Sequence, residues 1–319
     1  MPDLPTFPPS VRIETRASIT DPAVSVIMPN LNKGDFIGES IESVLAQSMG
    51  NFELLIVDDA STDGSFEIAR RYAQKETRIT LIRKGATEGV SAARNIGIRF
   101  SRGQFVGFLD SDDLYAPSKL DRQLMVLKQS KTPVVSYCDY WQIDETGAVL
   151  PPSRFPVYKE SGDIFGDVLA DKFGIKTTTL LSRECLLEMG PFDESLPFSE
   201  DLDMILRLSR SYQFAYLDEK LYSYRVFSGN TRNRLPETTL SSTRALVIEK
   251  HFKTSKSILT PLQRRQVILI LTKHFRKSSQ RGKMIHYGLS SPGSFRYMVT
   301  EPIRGRGLRR LFHPIGPRT

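Results

Sequence analysis

Three aspartates stand within four positions, directly after a short apolar run. They are Asp110, Asp112 and Asp113, and the run covers residues 104–109. In extended backbone, side chains two positions apart point the same way, so Asp110 and Asp112 can converge on one ligand at the end of a buried strand. Crowded carboxylates need a cation or several donors, and a divalent ion with diphosphate oxygens as further ligands suits them. The alternative is a solvated turn whose aspartates cap a helix near Pro117.

The composition is that of a soluble globular protein. The chain has 319 residues, of which 39% are hydrophobic and 25% charged, enough for a sizeable core. Two cysteines, Cys138 and Cys185, form neither a disulfide framework nor a zinc signature, which indicates a reducing compartment. Residues 1–22 are rich in proline and lack an apolar signal-peptide core, so we expect a disordered N-terminal tail there.

The net charge of +8 is concentrated in the region after about Lys250. Such an excess favours an anionic partner. Nucleic acid is disfavoured, because no zinc-finger spacing or RNA-binding aromatic motif accompanies the charge. An anionic membrane surface is the other candidate. All four histidines also lie in this region, so a base in the first 250 residues is expected to be a carboxylate.

Apolar runs alternate with amphipathic stretches from Ala23 onwards. This alternation predicts an α/β fold with a mainly parallel central sheet flanked by helices. Ligands of such sheets bind at the carboxyl ends of the strands. Polar or acidic residues follow three of the predicted strands, at residues 29–32, 58–61 and 110–112. Their shared location favours one common site.

The second half of the chain predicts three further strands and a helix with an acidic first turn. The strands are expected at residues 134–138, 177–181 and 222–226, and Glu200 and Asp201 begin the helix. After Pro236 the pattern changes to long helices. We therefore divide the chain into a tail (1–22), an α/β domain (23–235) and a basic helical C-terminal region (236–319).

Several ordered motifs resemble the family 2 inverting glycosyltransferases, which have the Rossmann-like GT-A fold and use nucleotide-diphospho-sugars. The resemblance covers roughly residues 23–235. It is carried by residues 24–32, 41–48, 52–65, 89–97, 110–113 and 200–201. Several motifs in the family's order are far more specific than any one of them.

The resemblance implies a role for each matching residue. On the donor side it assigns Pro29 and Leu31 to the nucleotide pocket, Asp59 to the base of the nucleotide and Asp110 to the ribose. It gives Asp112 to a Mg²⁺ or Mn²⁺ ion that bridges the diphosphate, and Arg94 and Lys33 are further donor contacts. Asp201 matches the general base.

These roles imply an inverting transfer of a sugar from a nucleotide diphosphate, with UDP favoured, to a hydroxyl group. A metal held by Asp112 would stabilise the charge that develops on the leaving diphosphate. Asp201 would take the proton of the acceptor hydroxyl, and the N-terminus of a helix favours its ionised form. Glu200 and Asp203 remain rivals for this role. From the helix alone, Ser199, Glu200 and Asp201 could simply be ordinary residues at a helix start.

One residue departs from the family pattern. Many relatives have a histidine in a segment like residues 224–231, where it can assist the metal or the diphosphate, but this chain has Phe227. A third protein ligand for the metal is therefore in doubt, and Arg225, Arg232 or waters could compensate.

Residues 263–281 combine an apolar run with six basic side chains. The run is too short to span a bilayer. Such a helix can lie on an anionic surface, or it can pack on the catalytic domain with a solvated basic face. We expect a glycan or a lipid-linked saccharide as acceptor, and the membrane alternative favours the lipid-linked one. The expected location is the cytoplasm, at the inner face of the cytoplasmic membrane if that alternative holds.

Two other function classes stay open at this stage. A sugar nucleotidyltransferase also uses paired acidic residues and a metal, but its glycine-rich opening loop is absent from residues 29–33. The remaining class is a non-catalytic module that binds a nucleotide sugar or a polyanion through the basic C-terminal region.

Overall fold

The computed structural model describes residues 11–151, 158–172 and 178–290. The described part contains a nine-stranded sheet flanked by helices. The strands are β1 (Val11–Thr15), β2 (Val24–Asn30), β3 (Phe52–Asp58), β4 (Ile79–Lys84), β5 (Phe105–Phe108), β6 (Leu114–Tyr115), β7 (Val134–Ile143), β8 (Leu180–Ser182) and β9 (Gln213–Arg225).

The helices follow the strands closely along the chain. They are α1 (Ile37–Leu45), α2 (Ser65–Lys75), α3 (Val90–Phe100), α4 (Lys119–Gln129), α5 (Phe165–Leu169), α6 (Arg183–Met189), α7 (Glu200–Ser211), α8 (Thr231–Arg234), α9 (Glu237–Ser255), α10 (Pro261–Lys277) and α11 (Arg281–Leu289). A 3₁₀ turn at Lys256–Ile258 joins α9 to α10.

The first half of the domain is the predicted parallel sheet. Strands β4, β3, β2 and β5 are neighbours in that order, and all three of their pairings are parallel. Every residue of β2 and β3 is buried, because helices cover both faces of this part of the sheet. The carboxyl ends of these strands consequently lie at one edge.

The second half adds strands in a mixed arrangement. β8 is antiparallel to both β5 and β7, β7 and β9 are parallel, and β6 pairs antiparallel with β9 at the far edge. Only four of the eight described strand pairings are therefore parallel. The predicted strand at 177–181 lies at 180–182, and the one at 222–226 begins earlier, at Gln213.

The prediction of a disordered tail over residues 1–22 is wrong for part of that segment. Residues Val11–Thr15 form β1 and pair antiparallel with β4, Val11 opposite Lys84 and Ile13 opposite Ile82. The edge strand β4 offers unpaired backbone groups there, and a short chain segment can satisfy them whatever its composition. Residues 1–10 lie outside the described part.

Helices α9 to α11 pack on the α/β domain. The long helices begin at Glu237, after the short helix α8. Val267, Leu271 and Phe275 of α10 are buried in the same hydrophobic cluster as Ile27 of β2. The apolar side of α10 therefore belongs to the protein core, as in the alternative of a helix packed on the domain. None of the described helices has the length and apolar composition needed to cross a bilayer.

A lysine under this sheet is buried and has no carboxylate partner among the described residues. Lys119 has no exposed surface, its ammonium donates to Gln123 and it lies 4.2 Å from the centroid of the Tyr115 ring. Burial lowers the pKa of Lys119 to about 8. The charged form is thus costly in the folded protein, and the polar contacts only partly compensate for it.

We expect Lys119→Met to raise the free energy of unfolding at pH 7 by about 1 kcal/mol. The lowered pKa corresponds to a cost of roughly 3 kcal/mol below pH 8, and leaving the Gln123 oxygen unpaired costs about 1–3 kcal/mol. The wild-type protein should gain stability as the pH rises from 8 towards 10, because its folded state then binds fewer protons than its unfolded state. The advantage of the variant should therefore shrink over that range.

Urea unfolding at pH 7 and pH 10 measures both effects. Lys128→Met on the exposed side of the same helix is the matched control and should change neither value. A Lys119→Met variant that is less stable at pH 7, or whose difference from wild type does not depend on pH, would contradict this account.

Candidate active site

The carboxyl ends of β2 and β3 are joined by a network of buried hydrogen bonds. Asn30 and Asp58 are register partners, and Asn30 Nδ2 donates to Asp58 Oδ1 at 2.8 Å. The same amide donates to the hydroxyls of Ser61 and Ser65. The backbone N–H of Asp59 donates to the Asn30 carbonyl at 2.8 Å. Asp58 therefore has a structural role, and Asp59 is placed at the edge of the sheet.

Asp59 is held by donors from two other segments. Its Oδ1 lies 2.5 Å from Lys84 Nζ, and both side chains are almost fully buried. The backbone N–H groups of Glu88 and Gly89 also donate to its carboxylate, at 3.0 and 2.8 Å. Asp59 thereby connects β3, the end of β4 and the loop before α3. Lys84 was not among the site residues predicted from the sequence, although a lysine at the end of a buried strand is a detectable signal.

The three clustered aspartates face different protein partners. Their segment is a turn, in which the N–H of Asp113 donates to the carbonyl of Asp110, so the extended geometry assumed from the sequence is wrong. Asp110 pairs with Arg94 at 2.9 Å, and Asp112 pairs with Lys33 at 2.6 Å. Each carboxylate faces a separate set of donors, which offsets their mutual repulsion. The helix that follows begins at Lys119, too far along the chain for these aspartates to cap it.

Asp113 has a structural role at the base of this turn. Its carboxylate accepts hydrogen bonds from the Tyr222 hydroxyl at 2.7 Å and from the Arg225 backbone N–H at 2.8 Å. Burial, together with the negative charges of Asp112 and Asp110, raises its pKa well above the ordinary value. Arg225 is itself fully buried, and its Nε donates to the carbonyl of Asp112 at 2.9 Å. The end of β9 therefore fixes the backbone of the acidic turn.

Arg94 connects this turn to the start of α7. Its guanidinium donates to Asp110 at 2.9 Å and to Glu200 at 2.7 Å. Burial by itself lowers the pKa of Arg94, but the two carboxylates reverse the effect and raise it. The Arg94 side chain is only 3% exposed and that of Glu200 11%, so their ion pair is shielded from solvent, whereas Asp110 is 34% exposed. Arg94 is consequently a bridge between two parts of the edge.

The acidic residues at the start of α7 have different surroundings. Glu200 is paired with Arg94, and Asp203 accepts from Lys250 and from the ring of His251, both at 3.0 Å. The Asp201 carboxylate is half-buried, and its only described hydrogen bond comes from the backbone N–H of the next residue. Among these three residues, Asp201 alone forms no described salt bridge, although its negative charge helps to raise the pKa of Arg94.

The structure places the other predicted residues around the same edge. Pro29 is buried within β2, and Leu31 follows it with 37% of its surface exposed. Phe227 lies just beyond β9, and the ammonium of Lys33 is 4.6 Å from its ring centroid. The contacts described above link Asp59, Asp110, Asp112 and the start of α7 through β2, α3 and β9. No contact tests the individual roles, which stay predictions.

The residues present fit a metal that is only partly held by protein. In the described part of the chain, no group of three ligating side chains is placed to hold a metal ion. Asp112 is buried and forms a salt bridge with Lys33, so its carboxylate already stabilises a positive charge. Burial raises the pKa of Asp112, and Lys33 opposes that rise. One carboxylate together with donor phosphates and waters is a common ligand set for Mg²⁺.

The sequence relatives identify the family. The family model described as glycosyl transferase family 2 matches residues 25–190. A Rickettsia prowazekii glycosyltransferase is 31% identical over 223 residues, which cover 68% of this chain and 68% of the relative. TuaG of Bacillus subtilis, a glycosyltransferase named for teichuronic acid biosynthesis, is 30% identical and is covered to 81%, with 66% of this chain aligned. The chain belongs to glycosyl transferase family 2.

Other relatives are much longer than this chain. The chain spans about a third of the glycosyltransferases that it matches in Rickettsia bellii and Rickettsia felis, 30% and 34% respectively. Those two relatives are each 32% identical to it, over 67% and 66% of this chain.

Solved structures show the fold. Residues 1–349 of S. aureus TarS, in complex with UDP-GlcNAc, superpose with a TM-score of 0.60 at 19% identity, covering 86% of this chain and 92% of that one. The mannosyltransferase PcManGT of Pyrobaculum calidifontis, in complex with GDP-Man and Mn²⁺, gives 0.57 at 17% identity, covering 91% and 82%. The predicted GT-A fold is confirmed by this likeness.

A double-mutant cycle on Arg94→Met and Glu200→Gln should give a coupling energy of about 2 kcal/mol or more. Removing Arg94 leaves the buried Glu200 carboxylate without a cation, whereas removing both leaves no charge at either position. The loss of the Asp110 pair is the same in the single Arg94 variant and in the double variant, so it cancels in the cycle. Urea unfolding of the two single variants and the double variant measures the coupling. The exposed pair Glu67 and Arg70 is the matched control and should give less than about 1 kcal/mol. Additive effects at Arg94 and Glu200 would show that the bridge is not formed.

Proposed function

We propose that the protein is an inverting, metal-dependent glycosyltransferase. It transfers a sugar from a nucleotide diphosphate to a hydroxyl group of a glycan or a lipid-linked saccharide. The observation that carries this proposal is that the acidic residues at one edge of the sheet differ in whether they form salt bridges. Asp59, Asp110, Asp112 and Glu200 each form a salt bridge, whereas Asp201 forms none that the structure describes.

The donor side is supported by residue chemistry and by the family. Pro29, Leu31 and Asp59 are proposed to form the nucleotide pocket, with a carboxylate oxygen of Asp59 accepting an N–H of the base. Asp110 is proposed to accept from the ribose hydroxyls. The TarS structure holds UDP-GlcNAc and the PcManGT structure holds GDP-Man with Mn²⁺. These ligands support a nucleotide-diphosphate donor, and we favour UDP.

Cleavage of the sugar–diphosphate bond leaves negative charge on the departing oxygen. A Mg²⁺ or Mn²⁺ ion bound through Asp112 would supply Lewis-acid stabilisation of that charge. Lys33, whose ammonium already reaches Asp112, adds a second positive charge from the protein. Fixed cations at the point where charge develops lower the barrier without any rearrangement of solvent.

The choice of base follows from which carboxylates are available. Glu200 is engaged by Arg94, and Asp203 by Lys250, His251 and Arg207, so neither can take a proton without losing an ion pair. Asp201 is half-buried at the start of the helix. We propose that it accepts the proton of the acceptor hydroxyl while that oxygen attacks the anomeric carbon from the face opposite the diphosphate.

Asp201→Asn should lower kcat by about 10²-fold or more, since general-base catalysis typically contributes this much, and should leave donor binding intact. Transfer from UDP-sugars to hydroxyl acceptors is measured with Mn²⁺, and donor binding by thermal shift. Asp218→Asn replaces an exposed aspartate and is the matched control. Full transfer by Asp201→Asn would remove Asp201 from the role of base, and equal transfer in EDTA would remove the metal.

The proposed location is the cytoplasmic face of a membrane, with contact through the turn between α9 and α10. Ile258 and Leu262 are each 64% exposed there. Four basic side chains and no acidic one occur between residues 253 and 265. Exposed aliphatic side chains beside a group of cations match the chemistry of an anionic lipid surface. We propose this surface as the membrane contact instead of the apolar side of α10, because that side is buried in the protein core.

Cosedimentation with vesicles tests this contact. Wild-type protein should bind vesicles that contain phosphatidylglycerol and should not bind pure phosphatidylcholine. The double variant Ile258→Ser, Leu262→Ser should lose most of that binding, while Leu187→Ser, which removes an exposed leucine of α6, should not. Equal binding by the double variant and the wild type would exclude this turn as the contact.

A further inference from the structure

The ammonium group of Lys33 lies between a carboxylate and an aromatic ring. Its Nζ is 2.6 Å from Asp112 Oδ2 and 4.6 Å from the centroid of the Phe227 ring. The two side chains of the ion pair are 18% and 9% exposed. A cation that has both partners in a partly desolvated site is held more firmly than a surface lysine. In this structure Lys33 is therefore held against Asp112.

Neighbouring side chains hold this arrangement from the other side. Phe36 packs edge-to-face on Phe227 with 4.8 Å between the ring centroids. The guanidinium of Arg225 lies 4.7 Å from the centroid of Phe36, and its Nε donates to the carbonyl of Asp112. The two rings are thus held between two cations, Lys33 and Arg225, and both cations contact Asp112.

The chemistry of these groups makes Lys33 a competitor of a metal ion. The face of a phenyl ring attracts an ammonium group but offers no lone pair to a divalent cation. A metal on the Asp112 carboxylate would lie within a few ångströms of the Lys33 ammonium, and the two positive charges would repel each other. A diphosphate carries enough negative oxygens to accept from the ammonium and to bind the metal together.

We infer that Lys33 makes metal binding conditional on the donor. Without a diphosphate, its ammonium occupies Asp112 and weakens the binding of a divalent cation. When a nucleotide diphosphate arrives, the ammonium turns to the phosphate oxygens, and Asp112 becomes free for the metal. This inference rests on the proposed nucleotide-diphosphate donor and assigns Lys33 a positioning role that orders the binding steps.

Lys33→Met removes the charge and keeps the length of the side chain. It should bind Mn²⁺ about tenfold more tightly than the wild type in the absence of nucleotide, measured as the loss of the free Mn²⁺ signal by electron paramagnetic resonance. It should bind UDP about tenfold more weakly in EDTA, measured by calorimetry, because the lysine no longer reaches the phosphates. Both estimates take one charge-assisted contact as about 1.4 kcal/mol. A purely structural role of Lys33 would weaken both affinities.

Two further variants keep the test decisive. Lys33→Arg retains the cation and should keep the Mn²⁺ affinity of the wild type. Lys128→Met removes an exposed lysine of α4 and should change neither affinity. An unchanged or weaker Mn²⁺ affinity of folded Lys33→Met would overturn the inference.

The result also separates this inference from the proposed function. If the wild type binds UDP and Mn²⁺ together but Lys33→Met does not gain Mn²⁺ affinity, only the role of Lys33 is wrong. If the wild type binds neither UDP nor Mn²⁺ in any combination, the proposed donor and metal are wrong as well, and the inference falls with them.

Discussion

The pairing of carboxylates with buried cations is the interaction on which the arrangement of this site depends. Parallel strands bring several acidic residues to one edge of the sheet, where they would repel one another. Lys84 and Lys33 each pair with one of them, and Arg94 pairs with two. These ion pairs also join segments that are distant in the chain. The same contacts therefore compensate the negative charges and position the loops.

Those contacts also explain why one acid could do chemistry while its neighbours are structural. A carboxylate that is engaged by a cation must give up that partner to accept a proton, which is costly in a buried site. Glu200 and Asp203 are in this position, and Asp201, which lies between them in the sequence, is not. The helix start thus contains two anchoring acids and one available acid.

The sequence predicted the parts of the structure that depend on local patterns. Apolar runs and their polar ends located β2, β3 and β5, and the ordered motifs predicted the family and the GT-A fold. The antiparallel pairing of β8 and the addition of β1 depend on which edges remain free, and no local pattern encodes that. The cationic partners of the carboxylates could not be predicted from the sequence either. Lys33 and Asp112 are 79 positions apart, and neither segment of sequence indicates a contact with the other.

A crystal structure of the protein with UDP and Mn²⁺ tests the central claim most directly. The account predicts the uracil beside Asp59, the Mn²⁺ ion between the diphosphate and Asp112, and the Asp201 carboxylate on the open side where the acceptor hydroxyl would enter. A nucleotide bound at another surface, or a Mn²⁺ ion away from Asp112, would contradict it.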